Sequence, residues 1–240
     1  MSSGIHGRPR KTDWPAHYHK AAAEVRDARL RAFYDEGCPA PDTAIGKVPL
    51  VALDFETTGL EVQHHSIVSI GLVPFTLEAI QLAGSWHQVI RPTNALHRTS
   101  VTIHGITHSE IEQAPEFDEV LGTLLNHLKG RIPVVHYRNI ERPFLNSALK
   151  DAINEQIRFP VIDTMAIEAH LNPDRNPSRW QQLMGKKPVS IRLADSRLRY
   201  RLPHYATHNA LIDAIATAEL LQAQILHHFS VDTPLKDLWV

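Results

Sequence analysis

The amino-acid sequence predicts an α/β domain in which a central sheet is flanked by helices. Three strand-like segments, 48–55, 66–75 and 85–92, follow one another near the start of this domain. Segments with helical periodicity then alternate with two short apolar runs, 132–137 and 159–163, that have the composition of strands. This mixed order of strands and helices is the basis of the prediction.

The chain is expected to divide into an N-terminal helical extension with a linker (1–47), a main domain (48–230) and a C-terminal tail (231–240). The extension contains a predicted helix from Trp14 to Tyr34, followed by a linker with proline and glycine. Three roles are open for the extension: packing on the domain, forming a homodimer contact, or binding a protein partner.

The helices of the main domain are predicted from apolar residues that recur every three or four positions. Residues 116–129 have this pattern, with a phenylalanine, a valine and four leucines on one side. Further helices are expected over 140–153, from about Thr164, near 189–200, and after His208.

Two acidic residues, Asp54 and Glu56, lie at the end of the first strand-like segment with one residue between them. Side chains alternate between the two faces of a strand, so Asp54 and Glu56 project from the same face. Neighbouring carboxylates repel each other when they are buried, and a divalent cation between them removes that cost. We interpret this strand end as the floor of a metal-dependent active site, although a pair of solvated loop residues explains it equally well when it is taken alone.

Two further segments carry candidate residues, and each also has an ordinary structural explanation. His208 precedes an amphipathic helix that contains Asp213, and their spacing of five positions makes a direct pair unexpected. A helix-capping histidine and a solvated aspartate would account for both. Glu141 lies in the first turn of another helix, where the helix macrodipole alone favours an acid.

Together these segments resemble the DnaQ-like 3′–5′ exonucleases of the DEDDh type. DFETTGL at 54–60 is similar to the first motif of that family, HYRNIERPFL at 136–145 to the second, and HNALIDA at 208–214 to the third. HGIT at 104–107 and VIDT at 161–164 are also typical of the family. The resemblance implies an RNase H-like sheet with three antiparallel strands and further parallel ones. It also implies hydrolysis of phosphodiester bonds at a 3′ end, with release of nucleoside monophosphates.

The resemblance further implies roles for individual residues. His208 would be the general base, since a histidine side chain titrates near neutral pH. Two divalent metal ions, Mg²⁺ or Mn²⁺, would be held by Asp54, Glu56, Glu141 and Asp213. The substrate would be contacted by Thr57, Thr58, Gly59, Leu60 and His104.

The second motif departs from the family pattern at two positions. Glu141 stands where the family has aspartate, and Tyr137 stands where it has asparagine. A glutamate keeps the carboxylate and reaches one methylene further. We therefore expect Glu141 to keep its role, with an altered metal spacing or metal preference.

A basic segment precedes His208. Residues 172–206 contain eight Lys or Arg against two Asp, a local balance of eight minus two, or +6. Basic side chains neutralise phosphates, and we expect Arg197 and Arg199 to bind the substrate. The alternative is a solvated basic helix face that serves only the fold.

The composition as a whole is compatible with a reducing cytoplasm, where we expect the protein to act. Its single cysteine, Cys38, excludes an intramolecular disulfide, and no apolar run is long enough to cross a membrane. The formal net charge of −1 carries no nucleic-acid signature by itself.

Single-stranded DNA, or the frayed end of a duplex, is the favoured substrate. RNA, including short oligonucleotides, is the first alternative. A catalytically weak module that binds nucleic acid or serves as a scaffold is the second alternative.

Overall fold

A five-stranded mixed sheet forms the centre of the computed structural model, which describes residues 12–92, 105–176, 180, 184–185, 187–205 and 208–240. The strands are β1 (Leu50–Thr57), β2 (Ile67–Phe75), β3 (Trp86–Val89), β4 (Ile132–Val135) and β5 (Ile162–Asp163). Their order in the sheet is β3-β2-β1-β4-β5. β2 pairs antiparallel with β1 and β3, whereas β4 pairs parallel with β1 and β5. The predicted α/β class is confirmed, with three antiparallel strands extended by two parallel ones.

Helices cover both faces of this sheet. Within the described residues they are α1 (Trp14–Glu24), α2 (Ala28–Asp35), α3 (His108–Glu112), α4 (Phe117–Leu128), α5 (Arg138–Ile153), α6 (Thr164–Leu171), α7 (Leu193–Arg199) and α8 (Ala210–His228). Alternate residues of β1 face opposite sides. Leu50 and Ala52 share one apolar cluster with α8, while Val51 and Leu53 share the other with α4 and α5.

The first turn of α8 lies directly on the sheet at Gly71. A Cβ atom at this position of β2 would lie 2.1 Å from the carbonyl carbon of Ala210. Only glycine permits such a close approach of helix and strand backbones. Since Gly71 is paired with Asp54 in the sheet, the contact brings the start of α8 next to the acidic end of β1.

The N-terminal extension forms two helices rather than the single predicted helix from Trp14 to Tyr34. The chain leaves the first helix at Val25, and Asp27 caps the second by accepting hydrogen bonds from the backbone amides of Arg29 and Leu30. The Glu155 carboxylate accepts from the amides of Arg26 and Asp27, which holds the break in place. A local N-cap therefore overrode the helical periodicity of the sequence.

Both N-terminal helices pack on the domain, one of the three roles left open by the sequence. Tyr18, Leu30 and Phe33 are buried in the same apolar cluster as Leu53 and Leu121. A homodimer or partner contact through the outer faces of these helices stays a prediction.

The segment from 231 onward is also held against the domain. The backbone of Val240 exchanges hydrogen bonds with that of Val161, which precedes β5. The amide of Leu235 donates to the carbonyl of Thr43, in the linker after α2. Among the described residues, no helix has the length and apolar character that crossing a membrane requires.

Candidate active site

Three carboxylates converge at the end of β1. Asp54 and Glu56 lie on the same face of the strand, as predicted, and Asp213 approaches them from α8. One carboxylate oxygen from each residue lies within 4.8 Å of those of the other two. Glu56 is 7 % exposed, whereas Asp54 and Asp213 are half-buried. The predicted floor of acidic residues is therefore present in the structure.

The start of α8 places Asp213 and His208 at this site. Asn209 caps the helix by accepting from the amides of Leu211 and Ile212. His208 has a left-handed backbone with φ +70°, and its amide donates to the Asp213 carboxylate at 2.9 Å. The direct contact that the spacing had made unexpected thus exists, but through the backbone of His208. The His208 residue as a whole is exposed.

Glu141 is buried beside this group of three. It lies in the first turn of α5 and is 4 % exposed, and its Oε2 has no hydrogen-bond partner. Its oxygens are not among those within 4.8 Å of one another, yet its charge acts on Asp54. An orphaned buried carboxylate oxygen is costly without a compensating partner. Its part in holding a metal, which the resemblance implied, stays a prediction.

Burial and nearby carboxylates disfavour the ionised forms of Asp54, Asp213 and Glu141. Burial, reinforced by the carboxylates of Glu141, Asp213 and Glu56, raises the pKa of Asp54 well above its ordinary value. Burial also raises the pKa of Asp213, with a contribution from Glu56. The pKa of Glu141 rises to about 8, mainly because it is buried and also because Asp163 lies near. A cation among these groups would reverse all of these shifts.

The set of donor atoms fits a hard divalent metal. All the groups are carboxylates, and oxygen ligands suit Mg²⁺ or Mn²⁺ better than softer ions. Three convergent oxygens with a fourth, unpartnered carboxylate beside them provide the anionic charge that such ions neutralise. Asp54, Glu56 and Asp213 could hold the metal, with Glu141 supporting them from α5.

The entry to α5 is strained and firmly anchored. Tyr137 has φ 115°, which is unfavourable for a residue with a side chain, and its ring is partly exposed. The preceding His136 is held at 2.8 Å from the Thr164 hydroxyl and at 3.1 Å from the Ile191 carbonyl. The following Arg138 pairs with the buried Asp163. Sequence reasoning did not single out these anchors, although His136 and Asp163 both lie within the motifs it quoted.

The turn after β1 is held by internal hydrogen bonds. The Thr58 hydroxyl accepts from the Ser66 amide and contacts the His65 ring at 3.1 Å. The Thr57 hydroxyl donates to the carbonyl of Gly59, and both threonines are buried. Leu60 is 80 % exposed at the tip of the turn. The threonines thus shape the loop, and Leu60 presents an apolar side chain beyond it.

A Cβ atom at Gly59 would approach the His65 ring to 2.5 Å. Glycine at this position therefore lets the ring pack against the loop. His104, also predicted to contact substrate, lies outside the described residues.

Arg197 and Arg199, which the sequence predicts to bind the substrate, are both engaged by other groups of the fold, and their contact with substrate stays a prediction. Arg197 is 4 % exposed, and its guanidinium donates to the carbonyls of Ala216 and Pro203 and to the Glu219 carboxylate. Arg199 forms an ion pair with the buried Glu168. These contacts hold the Arg197 guanidinium inside the fold, whereas the Arg199 side chain is 30 % exposed. The net charge of the segment concealed these partners, since both acids come from other helices.

Comparisons with known proteins agree with this geometry. A family model described as an exonuclease, RNase_T, matches residues 51–221. The PolC-type DNA polymerase III of Thermotoga maritima is 35 % identical over 179 residues, which are 75 % of this chain and 12 % of that protein. The epsilon subunit of DNA polymerase III from Treponema pallidum is 28 % identical over 181 residues, covering 75 % of this chain and 78 % of the subunit. The chain therefore spans only a small part of the PolC-type relatives.

Solved structures share the fold. The nuclease domain of 3'hExo, a DEDDh family member bound to rAMP, has a TM-score of 0.59 and 16 % identity, covering 74 % of this chain and 91 % of that domain. Exonuclease X in complex with 5′ overhanging duplex DNA has a TM-score of 0.57 and 20 % identity, covering 78 % and 98 %. The cell-death related nuclease 4 has a TM-score of 0.63 and 19 % identity, covering 76 % and 65 %. These likenesses confirm the RNase H-like arrangement of the sheet.

Proposed function

Because the chain belongs to the exonuclease family whose model matches residues 51–221, we propose that it hydrolyses phosphodiester bonds at the 3′ end of single-stranded DNA or of frayed duplexes. The observation that carries this proposal is the convergence of Asp54, Glu56 and Asp213, with their oxygens within 4.8 Å of one another. The products would be nucleoside monophosphates. DNA is favoured over RNA because the two relatives described above are DNA polymerase III proteins.

The carboxylates have the role of holding two divalent metal ions, Mg²⁺ or Mn²⁺. Such ions, when bound, stabilise the charge that develops on the attacking and leaving oxygens of a phosphodiester. Asp54, on the central strand of the sheet, would hold the metal together with Glu56 and Asp213. Glu141 adds negative charge from the buried side.

His208 has the role of general base. As an exposed residue whose backbone is bound to Asp213, it would use an imidazole nitrogen to accept the proton of the attacking water. The backbone amide of His208 is bound to the Asp213 carboxylate at 2.9 Å. The same aspartate therefore helps to hold the metal and fixes the backbone of the base relative to it.

The turn after β1 has the role of receiving the terminal nucleotide. Leu60 projects into solvent beside the acidic cluster, where it would pack against the last base. Thr57 and Thr58 are held by internal hydrogen bonds, so their backbone would form a rigid wall for the sugar. These contacts do not depend on base identity, as expected for an enzyme that shortens any sequence.

A degradation assay tests this proposal. Single-stranded DNA and RNA of the same sequence, labelled at the 5′ end, are incubated with the full chain and Mg²⁺ or Mn²⁺. We expect a ladder of labelled DNA shortened from the 3′ end, no products in excess EDTA, and protection by a blocked 3′ terminus. Binding without hydrolysis in either metal would overturn the proposal in favour of a binding module. Faster shortening of RNA would instead make RNA the substrate.

A further inference from the structure

The face of the sheet that carries Asp54 and Glu56 continues across β2 to the edge strand β3. In the antiparallel register, Glu56 is opposite Ser69, and Asp54 is opposite Gly71. Gly71 is in turn opposite His87 on β3. Directly opposed residues of antiparallel strands share a face of the sheet. His87 therefore lies on the face of the acidic cluster, two strands away from Asp54.

His87 is joined to the position next to Glu56 by a hydrogen bond. Its Nε2 lies 2.8 Å from the Oγ of Ser69, which is buried. Opposed Cβ atoms in an antiparallel pair lie about 4.5–5.5 Å apart, so the Ser69 side chain is an immediate neighbour of Glu56. The Glu56 charge also reaches the imidazole, since it raises the pKa of His87 against the larger lowering effect of burial.

The hydrogen bond between His87 and Ser69 has a preferred donor. If the His87 Nε2–H donates to Ser69 Oγ, the serine hydroxyl hydrogen is directed away from the imidazole and remains available on the Glu56 side. The opposite direction would turn serine lone pairs toward a carboxylate, which is repulsive. The nearby acid therefore favours the tautomer of His87 that carries its proton on Nε2.

We propose that His87 is a positioning residue that acts through Ser69 to orient the Glu56 carboxylate for binding of a divalent cation. This inference rests on the metal site of the proposed function and assigns it a support on strand β3. Partners of this kind fix the orientation of metal ligands, and their loss typically weakens metal affinity about 10–100-fold. His87 itself neither contacts the metal nor transfers a proton in this scheme.

Calorimetric titration of the full chain with Mn²⁺, in the absence of nucleic acid, tests the proposal. We expect His87→Phe and Ser69→Ala each to weaken Mn²⁺ binding about tenfold or more. The double variant should be no weaker than either single variant, because both interrupt the same connection. His87→Gln should bind nearly as well as the native chain, since its amide N–H can still donate to Ser69.

The matched control is Gln88→Ala. Gln88 lies on the same edge strand but faces the opposite side, and its amide bonds to the carbonyl of Val89. This variant should show native Mn²⁺ affinity, and thermal unfolding of every variant in EDTA should report any general loss of fold.

Unchanged Mn²⁺ affinity in His87→Phe and Ser69→Ala would overturn the proposal, including the case in which only their stability falls. So would a native chain that binds no Mn²⁺. A loss of nuclease activity in His87→Phe with native Mn²⁺ affinity would also overturn it, because it would point to a direct catalytic role. If the native chain binds Mn²⁺ in a manner that depends on His87 but degrades no nucleic acid, the proposed function fails and this inference stands.

Discussion

Two buried acids of this protein, Glu168 and Glu141, lie in opposite electrostatic environments. Glu168, on α6, is 0 % exposed and is fully matched: it accepts hydrogen bonds from Tyr200 and Gln224 at 2.8 Å each and forms an ion pair with Arg199. Glu141, on α5, is nearly as buried but has an unpartnered oxygen and faces other carboxylates. The first acid is compensated within the chain, whereas the second belongs to a group that lacks positive charge.

This difference indicates that Glu168 contributes to stability, whereas the acids of the candidate active site contribute to function. Buried charges are tolerated when they are paired, and removing one partner is costly. A buried cluster of like charges destabilises the metal-free fold, and such strain is typical of sites that bind or react. Removing an acid is therefore expected to destabilise the fold at Glu168 but to stabilise the metal-free fold at the acidic cluster.

The largest expected effect is a loss of activity when Asp54, in the acidic cluster of the candidate active site, is substituted. Asp54→Asn keeps the side-chain volume but removes the charge nearest to the other acids. We expect hydrolysis of labelled single strands to fall to background in both Mg²⁺ and Mn²⁺. We also expect the melting temperature in EDTA to rise, because repulsion within the cluster is relieved.

An active Asp54→Asn protein, above a mock-purified background, would contradict the metal mechanism. A lower melting temperature in EDTA would contradict the view that this cluster is destabilising without a cation. Glu61→Gln, at an exposed position after the same turn, is the matched control and should leave both measurements unchanged.

His208→Ala separates proton transfer from charge within the same region. We expect turnover to fall by roughly 10²–10⁴-fold, the usual effect of losing a positioned proton-transfer group. Mn²⁺ affinity should be retained, since the carboxylates remain and the amide that contacts Asp213 belongs to the backbone. Turnover within a few-fold of native at neutral pH would show that another group is the base.

Glu168→Ala tests how much the paired acid Glu168 contributes to stability. The substitution removes one acceptor from each of Arg199, Tyr200 and Gln224, and breaking a buried ion pair from one side costs about 3–5 kcal/mol. We expect a clear fall in the free energy of unfolding, measured with urea, and native Mn²⁺ affinity in the protein that remains folded.

The control for this experiment is Glu24→Ala. Glu24 pairs with Lys20 at 3.6 Å on the surface of α1, with both side chains largely exposed, so its loss should cost at most about 1 kcal/mol. An effect of Glu168→Ala no larger than this would contradict the importance of the buried network.

Glu141→Gln tests how the free energy of unfolding depends on pH. In the metal-free fold the pKa of Glu141 is raised to about 8, whereas an unfolded glutamate titrates near 4.5. The native state thus holds a proton that the unfolded chain releases, and stability falls as pH rises through this window. By pH 7 the loss should reach roughly 3 kcal/mol. Unfolding in EDTA at pH 5 and pH 7 should show this fall in the native chain and a smaller one in Glu141→Gln, where the contributions of Asp54 and Asp213 remain. Equal pH slopes would contradict the assignment.

The sequence predicted the acidic cluster better than its surroundings, for a physical reason. The shared face of Asp54 and Glu56 follows from strand periodicity, and the strands and helices that position them have clear patterns. The partners of Arg197 and Arg199 are acids on α8 and α6, and no local pattern indicates which distant acid a basic residue will meet. The break before α2 was missed because a single N-cap residue, Asp27, decided it.

The smallest expected effect concerns His136, which anchors the strained entry to α5. Burial lowers its pKa to about 4, against about 6.5 in an unfolded chain. The unfolded state then binds a proton that the native state does not, so stability is fully present above pH 6.5 and is lost as pH falls toward 4. At pH 5 the loss should be roughly 2 kcal/mol. His136→Gln has an amide that can still hydrogen bond to Thr164 or Ile191 but does not titrate, so it should flatten this acid limb in urea unfolding between pH 7 and pH 5. His19→Gln, at an exposed position on α1, also removes one histidine and should keep the native slope. An acid limb that persists unchanged in His136→Gln would place its origin in other residues and leave His136 as a neutral packing group.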